Sequence, residues 1–220
     1  AQVSDDACSR CNNLGDYCPA GSVAPVACPG GSYCPNTGIR IRCPSGTFSS
    51  TAGQALEATC APCETGDYCP EGSLSALLCP QGHYCPDFAS LVQCEAGTFQ
   101  TKFGQTDPGS CSGCGLGFYA VNATACQACP SGTFSDIYGA DECQSCPEGT
   151  YSNQTAQTNI ESCLPCNDGW YQPEPGSSIC VICPVDHKCA DAAPEAVACS
   201  VGTEQANEGQ SSCDPCDNGW

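Results

Sequence analysis

The spacing of cysteine and glycine limits this chain most: along its length a glycine recurs three residues after a cysteine. The phrase reads Cys43-Pro-Ser-Gly-Thr-Phe, Cys129-Pro-Ser-Gly-Thr-Phe and Cys146-Pro-Glu-Gly-Thr-Tyr, with looser forms starting at Cys94, Cys114 and Cys166. Shorter relatives are Cys18/Gly21, Cys28/Gly31, Cys69/Gly72 and Cys79/Gly82. Glycine adopts positive φ without a Cβ clash, so a turn that needs that geometry selects it. The aromatic that follows is expected to lie over a nearby sulfur. One small unit is reused, which predicts an array of repeats rather than a globule.

Leu, Ile, Val and Phe together make up only 29 of 220 residues, and the net charge is −19. A chain so poor in apolar residues and so charged is ordinarily disordered. Its 26 cysteines reverse that reading. Each disulfide constrains the unfolded chain by about 2–4 kcal/mol, so a dozen bridges replace the apolar core the sequence cannot build. Cysteine at this density implies an oxidising, extracellular compartment. The sequons Asn122-Ala-Thr and Asn153-Gln-Thr point the same way and make Asn122 and Asn153 candidate N-glycosylation sites.

The only basic residues are Arg10, Arg40, Arg42, Lys102 and Lys188, too few to grip phosphates, so nucleic acid is excluded as a partner. The acidic residues are scattered and read as a solvated surface, with no calcium-loop spacing. No apolar run is long enough to span a membrane and no signal peptide is visible. The lack of methionine predicts a processed product or an excerpt of a longer chain.

Two long repeats align with a period of about 51 residues: Cys8, Cys11, Cys18, Cys28, Cys34 and Cys43 correspond to Cys60, Cys63, Cys69, Cys79, Cys85 and Cys94. Four segments follow: a first repeat at 1–59, a second at 60–110, about three shorter units at 111–179, and a shortened repeat at 180–220 that ends in a truncated unit. Proline after cysteine, frequent glycine and the absence of a helical period predict almost no helix. Thr-Phe-Ser and Thr-Tyr-Ser suit short strands in small hairpins. The expected fold is thus a small disulfide-rich array of β-hairpins, rod-like, in which each unit mainly contacts its neighbours.

Two pairing schemes are open. A ladder of successive neighbours reads Cys11–Cys18, Cys28–Cys34, Cys43–Cys60, Cys63–Cys69, Cys79–Cys85 and Cys94–Cys111. It continues Cys114–Cys126, Cys129–Cys143, Cys146–Cys163, Cys166–Cys180, Cys183–Cys189 and Cys199–Cys213. It leaves Cys8 and Cys216 for continuation into further units or for intermolecular links. The ladder is favoured because the last repeat omits one adjacent pair cleanly. An interlaced scheme, with Cys8–Cys18, Cys11–Cys28 and Cys34–Cys43, is the alternative and is similar to epidermal-growth-factor modules.

The phrase Cys-Pro-x-Gly-Thr-[Phe/Tyr]-Ser followed by Cys-x2-Cys resembles the ephrin-receptor-like (GCC2/GCC3) repeats. It is also similar to the first half of a tumour-necrosis-factor-receptor cysteine-rich domain. That resemblance implies pairings such as Cys43–Cys60, Cys129–Cys143 and Cys146–Cys163, and an extracellular array. The likeness is weakest over 181–212, where Val185-Asp-His-Lys interrupts the glycine rule.

Rival chemistries fit less well. Cys126, Cys129, Cys143 and Cys146 have zinc-like spacing, but the lone cysteines at 18, 28, 34, 69, 79 and 85 do not. Redox use of the Cys-x2-Cys pairs lacks a strand-and-helix context. His83 takes the slot of Ser32 in the sister repeat, and His187 lies in a bridge loop, so neither reads as catalytic. No cofactor or metal is expected. The aromatic series from Tyr17 to Tyr171 keeps a fixed offset from cysteine, as spacers packed on bridges would; Trp170 and Trp220 depart from it and mark candidate contact faces. The reading is a non-enzymatic structural glycoprotein, a segment of a filament or surface appendage, resembling cysteine-rich proteins of protist coats and flagellar hairs (mastigonemes). The alternative is a ligand-binding or adhesive receptor ectodomain. Expected partners are N-linked glycans and further copies of the repeat.

Overall fold

The computed structural model describes residues 13–216 apart from 20, 21, 23 and 37. These residues form twelve antiparallel two-stranded hairpins in succession, joined by turns and three short 3-10 segments, with no α-helix among them. None of their helices is long and apolar enough to cross a membrane. The chain divides into two compact units, Ala1–Cys94 with Gln100–Cys111, and Glu95–Phe99 with Ser112–Trp220.

From the second onward, each hairpin opens on a cysteine, and the glycine rule is its turn. In the third hairpin the backbone N–H and hydroxyl of Thr47 both donate to the Pro44 carbonyl, at 3.1 and 2.7 Å. Gly46, just before Thr47, has φ +85°. Positive φ at the third residue of this turn selects glycine, and the extra hydroxyl bond explains the threonine after it. Thr47–Phe48 then pairs with Ala61–Pro62. The second strand runs into the next opening cysteine, Cys63, whose N–H donates to the Gly46 carbonyl at 3.0 Å. That closing bond, from the next opening cysteine back to the turn residue, recurs in all twelve hairpins at 2.7–3.2 Å.

The interrupted glycine rule at 183–188 turns out to be an exception in composition only. Asp186 occupies the turn slot with φ +60°, and its carbonyl accepts from Cys199 N–H at 2.8 Å as a turn glycine's would. Aspartate is among the few residues that tolerate this left-handed backbone. The same conformation is reused at a second place in the loops, at Gly53, Gly139 and Gly176, and there it accommodates Ala156 and Ala192.

As expected, cysteine takes the place of an apolar core among the described residues. Among the described residues the largest fully buried side chains are all half-cystines. Leucine, isoleucine and valine lie largely outside, with Leu14, Leu56, Ile137 and Ile179 more than half exposed. The aromatics pack on sulfur as expected, but on the sulfur of the following hairpin. Phe134 clusters with Cys146 and Cys163, and Tyr171 packs against Cys183 and Cys189.

Candidate functional site

The described bridges join Cys28–Cys34, Cys43–Cys60, Cys63–Cys69, Cys79–Cys85, Cys94–Cys111 and Cys114–Cys126. The others are Cys129–Cys143, Cys146–Cys163, Cys166–Cys180, Cys183–Cys189 and Cys199–Cys213. Cys34 is bonded to Cys28, so the Cys34–Cys43 link of the interlaced scheme does not occur. Cys18 is also disulfide-bonded; Cys8, Cys11 and Trp220 lie outside the described residues. Cys216 carries a free thiol and is half-buried.

These bridges obey one rule with two outcomes. The opening cysteine bonds either to the sixth residue after it, as in Cys28–Cys34, or to the cysteine three residues before the next opening one, as in Cys129–Cys143. In the second kind the sixth residue is not cysteine, yet it is nearly always buried: Ser49, Gln100, Ser135, Ser152, Gln172 and Gln205 are each 5% exposed or less. Serine, glutamine and cysteine therefore share one slot.

Backbone bonding defines that slot. The sixth residue's carbonyl accepts from the turn residue of the preceding hairpin: Gly117 N–H reaches Ser135 at 2.8 Å and Gly132 N–H reaches Ser152 at 2.7 Å. Its own N–H donates onward to the following hairpin, Ser135 to Gln157 at 2.9 Å and Cys34 to Gln54 at 2.8 Å. A further bond runs from the second positive-φ residue back to the previous opening cysteine, as from Ala156 N–H to the Cys129 carbonyl at 2.8 Å. Buried backbone groups must be paired, and each hairpin pairs the groups its neighbour leaves over. The result is a spine of main-chain bonds along each compact unit.

Where glutamine fills the slot, its side chain replaces the short bridge. Gln172 Nε2 donates to the Ile179 carbonyl at 2.6 Å, and Glu174 N–H donates to Gln172 Oε1 at 3.0 Å. Gln205 repeats the arrangement with Ser212 and Asn207. Gln172→Ala is expected to leave both loop groups unpaired and cost about 1–3 kcal/mol. Thermal unfolding beside Gln172→Glu, which keeps the acceptor, checks this. Sequence reasoning missed these residues. The available signal was that Ser49, Ser135 and Ser152 stand at the same offset as Cys34 and Cys69.

Contacts also reach one hairpin further than the expected nearest-neighbour array. A Cβ on turn glycine Gly97 would collide with the carbonyl oxygen of Gly139, two hairpins on, and one on Gly132 would collide with that of Gly176. Only a residue without a side chain permits that approach.

The remaining candidates are peripheral to the spine. Both sequon asparagines are exposed; the Asn122 Oδ1 accepts from the N–H and hydroxyl of Thr124 at 2.8 and 2.7 Å. The zinc-spaced Cys126, Cys129, Cys143 and Cys146 have their sulfurs bonded to other sulfurs. His83 and His187 stand at equivalent positions and turn Nδ1 to the carbonyls of Gln81 and Val185, at 3.1 and 2.9 Å, so that nitrogen carries the proton in each. A cavity of about 340 Å³ is lined by Thr65, Asp67, Asp87, Phe88 and Thr106 among others. The Asp87 carboxyl lies below the usual range because Ala89 N–H, then the Ser90 hydroxyl, donate to it. The Tyr33 hydroxyl is raised, first by partial burial and then by the Glu57 carboxylate beside it.

Comparison with known proteins follows this geometry. Residues 117–163 match the family described as tyrosine-protein kinase ephrin type A/B receptor-like. The chain is 29% identical over 149 residues, 66% of its length, to rat (Rattus norvegicus) sushi, von Willebrand factor type A, EGF and pentraxin domain-containing protein 1. It is 31% identical over 166 residues, 71% of its length, to mouse (Mus musculus) signal peptide, CUB and EGF-like domain-containing protein 2. It spans 4% of the first protein and 15% of the second. A human (Homo sapiens) relative, proprotein convertase subtilisin/kexin type 5, is 25% identical over 108 residues, of which the chain spans 6%. The matched stretch, 117–163, contains the paired strands Phe118–Asn122 with Ala125–Ala128 and Thr133–Phe134 with Gln144–Ser145, and the bridges Cys129–Cys143 and Cys146–Cys163. The chain thus carries extracellular or cell-surface cysteine-rich repeats, ephrin-receptor-like over residues 117–163.

Proposed function

We propose that this chain is a structural segment of an extracellular glycoprotein, whose hairpins repeat to build part of a filament or surface appendage of the mastigoneme kind. The recurrence of one set of backbone bonds between successive hairpins carries this reading, because such a joint extends an array without a new interface. Mechanism here is mechanical. Bridges six to seventeen residues apart in sequence limit how far any loop can be drawn out before a covalent bond carries the load. The charge of −19 keeps the exterior hydrated. Glycans on Asn122 and Asn153 add to that hydration. Cys8 and Cys216 are assigned to further hairpins of the same kind, in the same polypeptide or a neighbouring copy.

A second reading, a ligand-binding or adhesive ectodomain, is favoured by the small share of each relative that the chain spans and by the EGF and CUB domains in their names. Electron microscopy of purified glycoprotein separates the two. Long uniform filaments are expected from the first; discrete particles that bind a protein partner at stoichiometric amounts would replace it with the second.

A further inference from the structure

Trp170 stands out on the surface of the second compact unit. It is 41% exposed, unlike the aromatics that cover disulfides, and it precedes Tyr171, the ring that does that work in its hairpin. With Tyr151, Asn167, Ile179 and Cys180 it lines an open cleft of about 230 Å³. Sites for drug-sized ligands occupy about 300–1,000 Å³, so this one has room for a single ring. Its chemistry is mixed. Two aromatic faces and Ile179 offer apolar surface, and the Asn167 side-chain amide offers a donor and an acceptor.

Tyr151 also belongs to a sequon. The chain passes from Tyr151, half-buried, through Ser152, buried in the spine, to Asn153, exposed. The strand Thr150–Tyr151 ends two residues before Asn153, a reach of at most about 7 Å along the chain. A sugar on exposed Asn153 would begin within reach of the cleft that Tyr151 lines. The other sequon lacks this setting: the residue two before Asn122 is Ala120.

We propose that the Tyr151–Trp170 cleft seats the first N-acetylhexosamine of a glycan on Asn153. A pyranose has one face rich in C–H groups and a rim of hydroxyl and acetamido groups. The C–H face stacks on the rings, burying apolar area on both sides, while the rim meets Asn167. The glycan thereby pins the hairpin of Tyr151 to the next one, adding a non-covalent clasp beside the Cys166–Cys180 bridge. This inference rests on the extracellular, glycosylated reading.

The test uses the chain secreted from a eukaryotic host, as wild type and as Trp170→Ala, with mass spectrometry of both sequons. Peptide N-glycosidase is then applied to the folded glycoproteins. Both asparagines are expected to be occupied, with Asn153 released about tenfold more slowly from wild type than from the variant, as a seat filled about nine times in ten requires. Release from Asn122 is expected to be equal in both and reports that the variant is folded. With Trp220→Phe as background, trimming to one sugar should leave the Trp170 emission unchanged and removing that sugar should shift it. Equal release rates at Asn153 would overturn the clasp, as would a bare Asn153 beside an occupied Asn122. Two bare sequons would overturn the glycosylated reading with it.

Discussion

Gly97→Ala is expected to destabilise its compact unit by about 3–5 kcal/mol, at the upper end of single-substitution effects. Two costs combine. At φ +79° alanine pays roughly 1–2 kcal/mol for the left-handed backbone. Its Cβ would also run into the Gly139 carbonyl, which is backbone and cannot swing aside. Moving that segment breaks or stretches two buried bonds, Gly139 N–H to Cys114 and Cys114 N–H to Gly97, at about 1 kcal/mol or more each. Gly53 provides the control. It has φ +76° with nothing within 4 Å of an added Cβ, so Gly53→Ala should cost only the conformational part. Alanine at positions 156 and 192 shows that this second place accepts a methyl group. Chemical denaturation of the three proteins checks the ranking, and equal losses for both variants would remove the steric account.

Complete reduction is expected to unfold the chain. Eleven described bridges close loops of 7 to 18 residues, each contributing roughly 2–3 kcal/mol in the chain-entropy account, or on the order of 30 kcal/mol together. Native stabilities of 5–15 kcal/mol cannot absorb such a loss. Little apolar burial remains to offset it, since the large aliphatic side chains are mostly outside. Protease digestion before and after reduction and thiol blocking is the check: cleavage across the exposed loops should accelerate by several orders of magnitude once the sulfurs are separated. Reduction should act in steps rather than all at once, because each bridge closes within one hairpin and opening it frees that hairpin first.

Much of this was legible in the sequence where one residue type answers one physical demand. Glycine at the turn, cysteine in pairs and an aromatic at a constant offset each meet a single need, so the glycine rule, the short hairpins and the sulfur-centred interior could be read directly. The rest depended on equivalence between unlike residues. Ser135 and Cys34 share no side-chain chemistry, yet both sit where the main chain bonds to two neighbours. Asp186 breaks the glycine rule in composition but satisfies it by conformation. The contact from Gly97 to Gly139 bridges 42 positions and leaves no local pattern, because the receiving residue need not be glycine. Trp170 stood apart in the sequence; that it shares a cleft with Tyr151 depends on how two successive hairpins stack.

Amide hydrogen exchange, mapped residue by residue on the native and the fully reduced, thiol-blocked protein, bears most directly on a fold held by sulfur and main chain. In the native protein the amides of Ser135, Ser152 and Gln172 should be among the slowest to exchange, and after reduction they should exchange at the rate of an unstructured peptide. Persistence of their protection once every disulfide is open would contradict the account.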